Sequence, residues 1–174
     1  MRLHLIRHPP PEVAPGVCYG RSDLALAEDA QIVAARLRPL LPTNAPVYSS
    51  PLQRCRQLAD CLHPAPQFDR RLMEIDFGVW EMQTWQTIGR DALDAWAADP
   101  SGFAPPGGES PRQLMQRVAE FYREIHAQSI VEATAEVIVV THAGVMKALH
   151  GLHRGLSNAE WMKLSFDYGS IALL

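Results

Sequence analysis

Apolar residues along this chain switch between two spacings. Arg2 to Ile6 alternates and then runs apolar up to Arg7-His8, where Pro9, Pro10, Pro11 and Pro15 begin a loop, so a short strand is predicted there. From Glu28 to Leu41 the residues Ile32, Val33, Leu37 and Leu40 recur at helical spacing and Pro42 follows, which predicts a helix. Pro46 to Ser49 reads as a brief strand, with Ser50 as N-cap and Pro51 as first residue of a helix running to about Leu62. Phe68 to Trp80 is mixed and glycine-containing, a loop around a short strand. Glu81 to Ala98 is weakly helical, and Pro100 to Gly108 is loop.

The second half is sharper. Ser110-Pro111-Arg112-Gln113 fits a capping box, and Leu114, Val118, Phe121, Tyr122 and Ile125 then form one stripe of a long helix. Glu136 to Thr141 (EVIVVT) is a continuous β-branched run of the kind found when both faces of a strand are covered. Ala143 to Leu152 reads as helix and Ser170 to Leu174 as a closing strand. Alternating strands and helices predict an α/β fold, a three-layer α/β/α sandwich around a mostly parallel sheet, as a single domain over residues 1–174.

Composition narrows the classes. There are 174 residues, with 16 Lys+Arg against 19 Asp+Glu and a net charge of −3; this balance argues against nucleic acid, which needs a basic face. Three cysteines without a close C-x-x-C pair make no disulfide framework and suit a reducing compartment. No apolar run approaches the ~20 residues of a membrane span, and Arg2, His4, Arg7 and His8 interrupt the N-terminal stretch, so no signal peptide or membrane partner is expected and the reading is cytoplasmic. The oligomeric state is not encoded in any pattern of the chain.

Ligands of open α/β sheets sit beyond the carboxyl ends of the strands. The first strand delivers Arg7 and His8 there. The second delivers Ser49-Ser50, with Arg54 one turn into the next helix. EVIVVT delivers His142, followed by Ala143-Gly144 at a helix N-terminus that favours negative charge. Two arginines and two histidines on one rim describe a site for a compact, multiply charged anion, and a phosphate monoester fits because guanidinium groups meet its oxygens in parallel pairs. His150 and His153, one helical turn apart, raise the thought of a metal site with His142; no carboxylate or cysteine stands at supporting spacing, so no metal and no other cofactor is expected.

These segments resemble the histidine phosphatase (phosphoglycerate-mutase-like) superfamily. Leu5-Ile6-Arg7-His8 resembles its R-H-G signature, and Ser50-Pro51-Leu52-Gln53-Arg54-Cys55 its S-x-x-x-R helix start. Leu72 to Glu81 resembles its L-x-E-x-x-F-G-x-W-E segment, Gly107 to Ser110 its G-E-S cap, and Val140 to Val145 its H-x-G-V segment, all in the family's order. One departure is Pro9, where the family usually has glycine, so the backbone donor there is lost. The resemblance implies His8 as nucleophile forming a phosphohistidine, with Arg7, Arg54 and His142 on the phosphoryl oxygens. It implies Glu74 as general acid and base, chosen by the motif alone, since Asp76 and Glu81 in the same segment are equal to it in charge. Gly16 to Asp23 is similar to a loop of the α-ribazole phosphatases, which act late in cobalamin synthesis, and adds Tyr19, Gly20 and Arg21, with Ala143, as substrate-binding positions. A phosphoglycerate-type mutase, a broad-specificity phosphatase and a non-catalytic phosphoester-binding protein are the competing readings. Trp80, Trp85 and Trp96 read as core, and one facing the cleft would suit an aromatic leaving group.

Overall fold

The computed structural model describes residues 1–174. Its centre is a parallel pair, β1 (Arg2–Arg7) and β4 (Glu136–Thr141), in register from Arg2 opposite Glu136 to Arg7 opposite Thr141. Two strands of equal length in this register end level, so His8 and His142, each the next residue, emerge at the same sheet edge. β2 (Val47–Ser49) pairs in parallel with the other side of β4, and β3 (Gln67–Phe68) in parallel with β2. β5 (Ile171–Leu173) runs antiparallel against β1, giving the order β3-β2-β4-β1-β5.

The alternation of side chains along a strand assigns the two faces. Leu3, Leu5, Val137 and Val139 pack on one side against α5 (Pro111–Val131) and α6 (Ala143–Arg154), through Leu114, Val118, Phe121, Met146 and Leu149. Ile6, Ile138 and Val140 pack on the other side against α1 (Ala30–Leu37) and α2 (Gln53–Leu62), through Val33, Leu37, Cys55 and Leu58. This is the expected three-layer α/β/α architecture, and it explains the unbroken EVIVVT run: both faces of β4 lie under helices. No helix is long and apolar enough to cross a membrane.

Several boundaries differ from the sequence expectation. The first helix stops at Leu37 and tightens into a 3-10 turn over Arg38–Leu40, because Pro39 cannot continue the hydrogen-bond ladder. Its buried stripe is Ala30, Val33, Ala34 and Leu37, whereas Ile32 and Leu40 are exposed. α2 begins at Gln53 rather than Pro51, with Leu52 as N-cap and no cap from its own side chain. The carboxylate of Asp23, thirty residues away, accepts the Gln53 N–H at 2.7 Å instead. The stretch after Glu81 breaks into α3 (Trp85–Ile88) and α4 (Arg90–Ala98) at Gly89, whose φ of +86° is glycine territory. A short helix, α7 (Asn158–Trp161), opened by a Ser157/Glu160 capping box, has no counterpart in the expectation. The Ser110/Gln113 capping box opens α5 as expected.

Candidate active site

His8 is almost fully buried. Its Nδ1 lies 2.6 Å from the carbonyl oxygen of Pro9. A carbonyl only accepts, so Nδ1 carries the proton and the lone pair is left on Nε2. Proline keeps its carbonyl even though it has no N–H, so the residue that departs from the family pattern still fixes the tautomer. Burial, reinforced by the positive charges of Arg54 and Arg7, lowers the His8 pKa to about 3, despite the opposing bond to Pro9. The ring is neutral at any pH near 7.

The His142 ring centroid lies 5.0 Å from that of His8. His142 is fully buried, and its pKa is held well below the ordinary imidazole range by burial first, then by His8 and Arg54. Its Nε2 lies 2.8 Å from the Ser50 hydroxyl and 3.4 Å from the Cys55 sulfur. Ser50 therefore serves His142 rather than acting as the cap of α2. His142 is itself the N-cap of α6, and the N–H of Ala143, at the first helical position, has no intrahelical acceptor.

Arg54, with no exposed surface, donates to the Ser22 carbonyl at 2.7 Å and to the Gly20 carbonyl. Arg7 donates to the Phe166 carbonyl at 2.7 Å, and the ring of Tyr168 covers its guanidinium at 3.6 Å. Each arginine keeps a buried Nε–H with no acceptor in the protein. A buried cationic donor without a partner is costly, and an oxyanion that accepts from it removes that cost. The Tyr168 ring also stands 5.5 Å from His8, and its hydroxyl bonds to that of Tyr19, so two tyrosines bridge the side of the cluster.

Glu74 meets the same cluster from the loop after β3. Its carboxylate accepts the N–H of Ile75 at 2.9 Å and the N–H of Gly144 at 3.1 Å, which ties it to the start of α6 two residues after His142. A Cβ at position 144 would collide with the Glu74 carboxylate, so the glycine is what lets the acid approach the helix. Arg117 donates to the Glu74 and Arg71 carbonyls while its guanidinium grips Glu109 at 2.7 and 2.8 Å, fixing the backbone beneath the acid.

The other carboxylates of that segment are committed elsewhere. Glu81 accepts from the backbone N–H groups of Gly20, Arg21, Ser22 and Phe77 and from the Ser22 hydroxyl. Burial alone would raise its pKa, but these bonds outweigh it and hold the carboxyl below its usual range. Asp76 accepts the Gly78 N–H and lies 3.3 Å from Arg21, whose guanidinium is also 3.6 Å from Glu109. Among the loop residues expected at the substrate, Tyr19 stands beside Arg54, its ring centroid 5.6 Å from the guanidinium carbon, and Gly20 presents its carbonyl to that arginine. Arg21 is turned instead onto the carboxylates of Asp76 and Glu109, which neutralise it and make it a brace of the loop.

Sequence reasoning passed over Ser22, Arg117, Phe166 and Tyr168, and placed Ser50 at the rim without its bond to His142. Ser50 carried a signal, its place at a strand end; Tyr168, 160 residues from His8, carried none. His153 bonds to Tyr122 at 3.0 Å and His150 packs on Phe166, so neither joins His142. No group of three or more His, Cys, Asp or Glu side chains is arranged to hold a metal ion.

The pattern of the histidine phosphatase superfamily (branch 1) matches residues 3–174. The chain belongs to this superfamily. Its layers and sheet are the phosphoglycerate-mutase-like fold of histidine phosphatases. Within that superfamily it is similar to the adenosylcobalamin/alpha-ribazole phosphatase of Salmonella typhimurium, 28% identical over 160 residues that cover 86% of this chain and 77% of the relative. The crystal structure of the alpha-ribazole phosphatase from Shigella flexneri superposes with a TM-score of 0.85 at 26% identity, covering 99% of this chain and 89% of that one. A phosphoglycerate mutase structure from Thermus thermophilus gives 0.78 at 30% identity, covering 100% and 92%.

Proposed function

We propose that this protein is a metal-independent phosphomonoesterase that works through a phosphohistidine on His8 and takes α-ribazole 5′-phosphate as its substrate. The observation that carries the reading is the Nδ1–H of His8 donating to the Pro9 carbonyl in a ring kept neutral by burial, because it leaves one nucleophilic lone pair, on Nε2, beside two arginines. Phosphate monoesters are so slow to hydrolyse that over ~20 kcal/mol of barrier must be removed. Splitting the displacement through a covalent intermediate and placing fixed positive charge on the oxygens are the two means present.

In the first step Nε2 forms a bond to phosphorus as the ester P–O bond breaks. Arg7, Arg54, His142 and the Ala143 N–H hold the non-bridging oxygens, and Glu74 gives its proton to the departing alkoxide. In the second, the Glu74 carboxylate takes a proton from water as that water attacks phosphorus and the N–P bond breaks, returning neutral His8 and free phosphate. The guanidinium groups carry the positive charge that a metal supplies elsewhere. The choice of α-ribazole phosphate rests on the Gly16–Asp23 loop and on the two similar phosphatases. Likeness to the mutase structure favours a second reading, transfer of the phosphoryl group within phosphoglycerate.

Phosphate release measured over α-ribazole phosphate, nucleoside monophosphates, sugar phosphates and phosphoamino acids tests both. The expected result is fastest turnover on α-ribazole phosphate, persistence in EDTA, inhibition by vanadate and collapse in His8→Ala. Isomerisation of 3-phosphoglycerate faster than any phosphate release selects the mutase. Slow turnover equal in wild type and His8→Ala overturns catalysis altogether.

A further inference from the structure

Ser50, like His8 and His142, is the first residue beyond its strand. Its N–H donates to the Val140 carbonyl at 3.0 Å, so the parallel ladder of β2 and β4 runs one step past Ser49 and sets Ser50 at the end of β4. Neither Ser50 nor His142 has exposed surface, and Cys55, in the first turn of α2, is equally enclosed. The serine Oγ accepts the Leu52 N–H at 3.3 Å and lies 2.8 Å from His142 Nε2. The Cys55 sulfur is 3.4 Å from Nε2 and 3.8 Å from Nδ1.

These contacts decide where the imidazole keeps its proton. A hydroxyl has one proton and two lone pairs. Leu52 takes a lone pair of Ser50, and the buried hydroxyl proton then needs an acceptor. The imidazole nitrogen at 2.8 Å is the better one within reach, because a thiol sulfur accepts only weakly. Burial holds the Cys55 thiol above its ordinary range, so it too stays protonated and is a weak second donor toward Nε2. Both neighbours of Nε2 thus have a proton to give. The ring proton belongs on Nδ1, which meets nothing better than the sulfur at 3.8 Å. The opposite tautomer sets an N–H against Ser50, leaves the serine proton to sulfur alone, and gives Nδ1 a bare lone pair.

We propose that Ser50 is a positioning residue of the reaction, which fixes His142 as the Nδ1–H tautomer so that this ring donates to a phosphoryl oxygen. The proposal rests on the phosphatase reading above and adds the chemical state in which His142 serves it. The two rings, 5.0 Å apart, are then complementary. Pro9 leaves His8 a lone pair for phosphorus, and Ser50 leaves His142 an N–H for oxygen. Burial keeps His142 neutral, so it has one N–H and not two. Its tautomer therefore decides whether it binds the anion or repels it.

Long-range 1H–15N correlation spectra of protein labelled with 15N-histidine read that tautomer directly, with His142 assigned by the signal missing from His142→Asn. The expected wild-type spectrum at pH 7 shows a protonated Nδ1 and a bare Nε2. In Ser50→Ala the proton moves at least partly to Nε2. Its kcat/KM on p-nitrophenyl phosphate falls about tenfold or more, toward the roughly 10²–10³-fold of an oxyanion donor removed outright, and inhibition by vanadate weakens with it. Ser50→Thr, which keeps the hydroxyl, restores both tautomer and rate. A wild-type ring protonated on Nε2, or a tautomer identical in wild type and Ser50→Ala, overturns the assignment to Ser50 whatever the activity. A shifted tautomer with an unchanged kcat/KM overturns its part in the reaction. A wild-type protein that shows the Nδ1–H yet hydrolyses no phosphate ester overturns the phosphatase reading, and with it the use proposed for that proton.

Discussion

Acid should unfold this protein through the same ring that is proposed as its nucleophile. Native His8 stays neutral down to about pH 3, whereas in the unfolded chain an imidazole protonates near pH 6.5. Below pH 6.5 the unfolded state thus binds more protons, so stability falls as pH falls and the loss ends only when the native ring titrates near pH 3. At about 1.36 kcal/mol for each pH unit, His8 alone removes about 3 kcal/mol between pH 6.5 and pH 4. That is a fifth to more than half of the roughly 5–15 kcal/mol that holds a domain together, and buried His142 acts in the same direction. Urea unfolding of the wild type and of His8→Asn, from pH 7 to pH 4, isolates the effect. Asparagine keeps a donor near the Nδ1 position for the Pro9 carbonyl but does not titrate, and other acid-sensitive groups such as Glu81 and Asp69 cancel between the two proteins. The wild-type advantage should shrink by about 3 kcal/mol over that range. A difference that stays flat refutes the claim that His8 is buried as the neutral base, and with it the tautomer argument.

Three further outcomes follow from the geometry. Glu74→Gln lowers kcat on alkyl phosphates by about 10²–10⁴-fold and much less on p-nitrophenyl phosphate, whose leaving group needs no proton; an equal loss on both would remove Glu74 as the acid. Glu81→Ala leaves the amides of Gly20, Arg21, Ser22 and Phe77 without their acceptor, costing about 2–4 kcal/mol and lowering Tm by roughly 4–16 °C, with KM raised because the same loop positions Arg54. A calorimetric shift under about 2 °C contradicts that role. Tyr168→Leu strips the ring from Arg7, a contact worth about 0.5–2 kcal/mol, so KM should rise roughly 2–30-fold while vanadate still inhibits; an unchanged KM shows that Arg7 is held by Phe166 alone.

How much of this was legible in the chain divides along a physical line. Strands and long helices announce themselves because their periods are short. EVIVVT, the Arg2–Arg7 strand and the Ser110 capping box are local patterns, and once β1 and β4 pair in parallel register their ends place His8 beside His142. Arg54 came with the strand end preceding it. Glu74 was separable from Asp76 and Glu81 by motif alone, since charge at three neighbouring positions is the same physical quantity. The stop at Pro39 was readable too, as a proline inside an apolar stripe, but the stripe outweighed it.

Only the tertiary structure decided which polar group serves which. The first turn of α2 is capped from Asp23, the amides around Gly20 are held by Glu81, Ser50 turns to His142, and Tyr168 folds back over Arg7. Such bonds join residues tens to more than a hundred positions apart and recur with no period, so nothing in the local sequence marks them. The neutrality of His8 belongs with them, because it comes from burial and from the arginines packed around it. The sequence by itself pointed to the groups proposed to react and to the edge of the sheet where they meet; the packing around that edge set the protonation of His8 and His142 and the partners of each group.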